Sequence, residues 1–67
     1  MFTAIIQESG PWWIGWIEEV PGVNSQGATR DELLENLQSA LKEAIEMNRA
    51  DALSIVEGDY EEAAIQV

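Results

Sequence analysis

The chain predicts one α+β domain in the order β-β-β-α-β, an antiparallel sheet covered on one face by an amphipathic helix. Three observations carry that prediction. Two alternating runs flank the breaker Ser9-Gly10-Pro11, Pro21-Gly22 then reverses the chain, and a Thr-capped stretch of leucines and alanines at spacings of three and four follows. Sixty-seven residues leave room for a single domain, residues 1–67. A chain of about 60 residues buries only about 60% of its unfolded surface, so the core must be thin.

The first strand is expected over Phe2 to Gln7, where Phe2, Ala4 and Ile6 alternate with Thr3, Ile5 and Gln7. A second strand over Trp12 to Glu19 places Trp12, Ile14, Trp16 and Glu18 on one face and Trp13, Gly15, Ile17 and Glu19 on the other. Both faces are largely apolar, so one helix cannot cover them all, and alternation alone leaves open which face meets it. Pro21 and Gly22 fit the central positions of a type II turn, where glycine accepts a positive φ. Val23 to Gln26, before Gly27, is expected to add a short third strand.

Thr29-Arg30-Asp31-Glu32 reads as a capping box, with Thr29 and Glu32 serving each other's backbone amides. Leu33, Leu34, Leu37, Ala40, Leu41, Ala44, Ile45 and Asn48 make the apolar stripe of the helix that follows. An unbroken helix to Glu57 would run about 42 Å, longer than so small a domain can cover. A break is therefore expected at Asn48, which caps a second short helix over Arg49 to Val56 that Gly58 ends. Glu62 to Val67, with Ala63, Ile65 and Val67 on one face, is expected as the last strand.

Thirteen Asp and Glu residues against three Lys and Arg give a net charge of −10. Such a charge repels phosphate backbones and anionic lipids and favours encounter with cationic proteins. No direct nucleic-acid partner is expected. Apolar residues make up 46% of the chain, which places it outside the composition of disordered segments. With no cysteine or histidine it has no disulfide, soft metal ligand or ordinary nucleophile–base pair. The longest apolar stretch, Pro11 to Ile17, is far shorter than a membrane span and no secretory leader pattern is present, so a soluble, cytoplasmic protein is expected.

The wording Val20-Pro21-Gly22-Val23-Asn24-Ser25-Gln26-Gly27-Ala28-Thr29-Arg30-Asp31-Glu32-Leu33, continued by Asn36-Leu37 and Ala40, resembles the HicB-like antitoxin family of type II toxin-antitoxin systems. Many members carry a proline where Glu18 stands and a cysteine where Val23 stands. The resemblance implies a truncated ribonuclease-H-like sheet and a protein that binds and blocks HicA, a small basic toxin that cleaves messenger RNA. Full-length members add a C-terminal DNA-binding segment, whereas this chain ends at Val67, so the expectation is a standalone domain without direct DNA contact. The alternative is an orphan domain that acts as a structural or regulatory homo-oligomer.

Catalysis would have to rest on carboxylates. Glu18 and Glu19 are neighbours on a strand and point to opposite faces, and Glu57, Asp59, Glu61 and Glu62 lack the spacing of a calcium loop. They read as a solvated acidic turn, and no catalytic, metal or cofactor site is expected. The candidate partner-binding residues are Trp12, Trp13 and Trp16, shared between core and interface, and Glu35, Glu43 and Glu46 on the helix, which serve either solubility or steering. A homodimer or higher homo-oligomer is expected because the second strand is apolar on both faces.

Overall fold

The computed structural model describes residues 1–67. Three strands, β1 (Ala4–Ser9), β2 (Trp12–Ile17) and β3 (Asn24–Gly27), precede one helix, α1 (Arg30–Ser54). The sheet is antiparallel in the order β1-β2-β3. This establishes the α+β class and the first four elements of the expected order.

Both hairpins are explained by their turns. Gly10 and Pro11 form a two-residue loop between the paired residues Ser9 and Trp12, and Gly10 has φ 61°. Glycine at the first central position is what such a loop demands, because its backbone twist must match that of the strands. Pairing therefore continues to the loop, and β1 lies two residues later than the expected Phe2–Gln7. At the other end Pro21-Gly22 closes the second turn, with Gly22 at φ 87° and the Val23 amide donating to the Val20 carbonyl at 3.4 Å. That turn takes Glu18 and Glu19 out of β2 and moves β3 one residue beyond the expected Val23–Gln26.

Register decides which side of the sheet meets the helix. Ile6 pairs with Gly15, Gly15 with Ser25 and Trp13 with Gly27, so these residues share a face. A β-carbon at Gly15 would stand 3.2 Å from Leu37 Cδ1 and 2.7 Å from the Ile5 carbonyl oxygen. One at Gly27 would stand 2.6 Å from the Leu33 amide nitrogen. The helix is thus seated where the sheet has no side chains. Leu33 and Leu37 are fully buried with Ile17 and Val23, and Ala4, Ile6, Trp13, Val20, Ala40, Leu41 and Ala44 pack around them. Removing a leucine of this kind from water contributes roughly 1.5–3 kcal/mol.

The N-terminus of α1 is held twice. The Thr29 hydroxyl accepts from the Glu32 amide at 3.1 Å, while the Asn36 side chain donates to the Gln26 carbonyl at 2.8 Å and ties the helix to β3. The return arm of the expected capping box is not made. Glu32 is left exposed at the positive end of the helix dipole, where with Asp31 it remains favourable.

Two expectations are corrected. No break occurs at Asn48: α1 runs without interruption to Ser54 and ends at Ile55, before Gly58. Nothing between Arg30 and Glu57 is proline or glycine, and once a helix is nucleated each further residue adds its own hydrogen bond without needing a sheet beneath it. The last strand is also absent, since residues 55–67 form no ladder. By Ser54 the helix has carried the chain roughly 15 Å past Ala44, the last partly buried stripe position over the sheet. The tail instead turns back on the helix, and Arg49 pairs with Glu62 at 2.6 Å. The observed order is β-β-β-α.

No helix is long and apolar enough to cross a membrane. The radius of gyration, 15.3 Å, exceeds the roughly 11 Å of a compact chain of this length because α1 overhangs the sheet.

Gly27→Ala should destabilise the fold by about 1–3 kcal/mol, since backbone rather than a flexible side chain stands in the way of the methyl group. Thr29→Ala should cost about 1 kcal/mol through the lost cap. Urea unfolding followed by circular dichroism measures both, and a Gly27→Ala protein as stable as the parent would contradict the close seating of α1.

A candidate protein-binding surface

The tryptophan strand is divided by its own pleat. Trp13 lies on the helix side and packs against the core, half-buried. Trp12 and Trp16 lie on the opposite side and are 47% and 42% exposed. Ile5 pairs with Trp16, and Gln7 with Ile14, so Ile5 and Ile14 complete an apolar patch on that outer face. Its border is polar and uncharged: Gln7 and Ser9 from β1, Asn24 and Gln26 from β3. No charged residue of the three strands points to this face. Glu8 is of the opposite parity, and Glu18, just beyond the end of β2, shares the parity of Trp16 and stands at the edge of the patch, its amide bonded to the Thr3 carbonyl.

The acids lie elsewhere. Glu35, Glu43 and Glu46 are exposed and fall within about 80° of helix arc, on the side of α1 directed away from Leu33 and Leu37. Lys42 interrupts them and Arg49 is engaged with Glu62, so the outer side of the helix remains acidic. The six expected partner-binding residues thus do not form one site. Trp12 and Trp16 occupy one surface, the three glutamates occupy the opposite one, and Trp13 lies between them in the molecule.

Pro21 and Gly22 stand at the second turn, Thr29 and Glu32 at the helix cap, and Gly27 at the end of β3 against Leu33. One feature escaped the sequence: an open groove of about 370 Å³ beside the helix, lined by Phe2, Gln38, Leu41, Lys42, Ile45 and Glu46. Its signal was present in the parity of Phe2 with Ala4 and Ile6, which places Phe2 on the helix side, and in the position of Leu41 and Ile45 at the margin of the stripe. The groove is apolar at its base and has Glu46 and Lys42 at its rim.

No group of three or more acids is gathered closely enough to hold a metal ion. Glu57, Asp59, Glu61 and Glu62 lie along the exposed tail. Glu19 is held in place by a backbone contact that also moves its pKa. The Thr3 backbone amide donates to Glu19 Oε1 at 2.7 Å, and this contact, then the Thr3 side chain, holds its pKa below the ordinary glutamate value. The bond ties the start of β1 to the turn after β2, alongside the Glu18 amide that donates to the Thr3 carbonyl at 2.9 Å.

No family model matches the chain, and no curated protein and no solved structure matches it either.

Because the folded-state pKa of Glu19 is lowered, its contribution to stability should be complete above the ordinary glutamate range and lost as pH falls through the lowered value. A carboxylate titration by NMR should give a midpoint below that range. Thr3→Pro, which removes the donor, should return it to the ordinary value.

Proposed function

We propose that this protein is a non-enzymatic, cytoplasmic binding module that captures a small basic protein of the HicA toxin type on the outer side of α1. The observation that carries this reading is the exposed acidic row Glu35, Glu43 and Glu46 on the outer side of α1, of which Glu46 reaches the rim of the Phe2–Leu41–Ile45 groove. Charge supplies the long-range attraction and the groove supplies a place for an apolar side chain, which charge alone would not hold. Trp12 and Trp16 look across the sheet in the other direction and take no part in this contact. A truncated ribonuclease-H-like origin of the sheet belongs to the same proposal. The β-β-β-α order is compatible with it, and the resemblance of the Pro21-Gly22 turn and the Thr29 cap to HicB-like antitoxins supports it.

Association with a HicA-type toxin should slow steeply as salt rises, because attraction between exposed charges is screened over about 10 Å at 0.1 M ionic strength. Replacing Glu35, Glu43 and Glu46 together by Gln should lower the association rate by at least about tenfold at low salt. Phe2→Ala should act mainly on dissociation. Stopped-flow or surface-based kinetics over a salt series checks all three. Pull-down from the native host that returns no basic protein, together with co-expression that fails to relieve toxicity, would remove the antitoxin reading.

A further inference from the structure

We infer that the outer face of the sheet, centred on Trp12 and Trp16 with Ile5 and Ile14, is the contact between two copies of this chain. The pairing is twofold and sheet on sheet. The inference is independent of the toxin reading, which uses the opposite side of the molecule.

The choice of occupant follows first from charge. Two chains of net charge −10 repel each other over most of their surfaces. The outer sheet face is an apolar patch to which the strands contribute no charged side chain, framed by Gln7, Ser9, Asn24 and Gln26. Glu18 stands at its edge, so a basic partner finds no acid among Trp12, Trp16, Ile5 and Ile14 to pair with, whereas an identical apolar patch meets them with no charge at its centre. Twofold symmetry makes the same surface serve on both sides. Face-to-face sheets lie about 10 Å apart with strands aligned within about 30°, which lets the Trp12 and Trp16 rings of one copy interleave with those of the other.

The resulting order of layers is α-β-β-α. Each acidic helix lies on an outer surface, and the two helix axes are on the order of 30 Å apart. That separation is several times the screening length of about 8 Å at physiological ionic strength, so the acids of the two copies scarcely interact across the assembly. The outer sides of both helices stay free.

Four buried apolar side chains are a small core, and covering the second face of the sheet adds Trp12, Trp16, Ile5 and Ile14 to the residues removed from water.

Sedimentation velocity over a concentration and salt series tests the inference, with tryptophan emission as a second readout. The intact protein should be a dimer whose dissociation constant falls as salt rises, since salt screens only the residual repulsion. Binding of a basic partner would respond to salt in the opposite sense, so the two readings fail separately. Trp16→Glu should raise the dimer dissociation constant by at least about thirtyfold, with circular dichroism unchanged because Trp16 lies outside the core. Trp12→Gln, a milder change, should weaken the dimer without adding charge. The triple replacement of Glu35, Glu43 and Glu46 by Gln should leave it intact. A monomer at every concentration and salt, a dimer indifferent to both tryptophan changes, or a dimer that salt dissociates would overturn the inference. So would loss of a basic partner on Trp16→Glu in a protein that is monomeric throughout, which would assign the face to that partner.

Discussion

Close contact between α1 and two glycines governs the arrangement of this molecule. Where Leu37 crosses Gly15 and the first turn of the helix meets Gly27, there is no space for even one β-carbon on the sheet. Leu33 and Leu37 fill the space that the missing side chains leave, and they are the two largest fully buried side chains in the protein. Fixing the helix at these points fixes which side of each strand is inside. Trp13 becomes a flank of the core, and Trp12 and Trp16 are left on the outside as a geometric consequence of the pleat.

That single choice of side separates two kinds of surface. Acidic and apolar residues are mixed along the chain, and a reading by position merges them into one partner-binding set. In three dimensions they lie back to back, with the sheet and helix between them. Electrostatic attraction works at a distance and tolerates imprecise geometry, while apolar contact acts only at close range. Placing the two on opposite sides allows each to meet a different molecule without competition.

Much of the fold was legible because it is written in local chemistry. Gly10-Pro11 and Pro21-Gly22 are turn signals whose backbone demands are met where they occur, and Thr29 announces the start of α1 with a single hydroxyl. Strand limits slipped by one or two residues because pairing ends where a turn ends it, not where alternation fades. The expected break at Asn48 came from an argument about compactness, and the helix has no obligation to be as short as the sheet it covers. The expected strand over Glu62 to Val67 failed for a related reason: a strand exists only with a neighbour, and its alternation contains nothing that brings an edge within reach. The choice between the two faces of β2 was hidden in Gly15, which reads as a weak point in a strand until the leucine that needs its emptiness is known.

The overhang of α1 gives the helix two mechanical regimes. Its first half shares the fate of the sheet, because opening it would expose Leu33 and Leu37. Beyond Ile45 only Leu53 is partly covered, and no basic residue in the last turn offsets the negative end of the dipole. Opening those distal turns exposes almost no apolar surface that is not already wet, so its free energy lies near the bottom of the range for local unfolding. The far end of the helix can therefore unwind and rewind by itself, as a fringe that moves while the woven part of the fabric stays still.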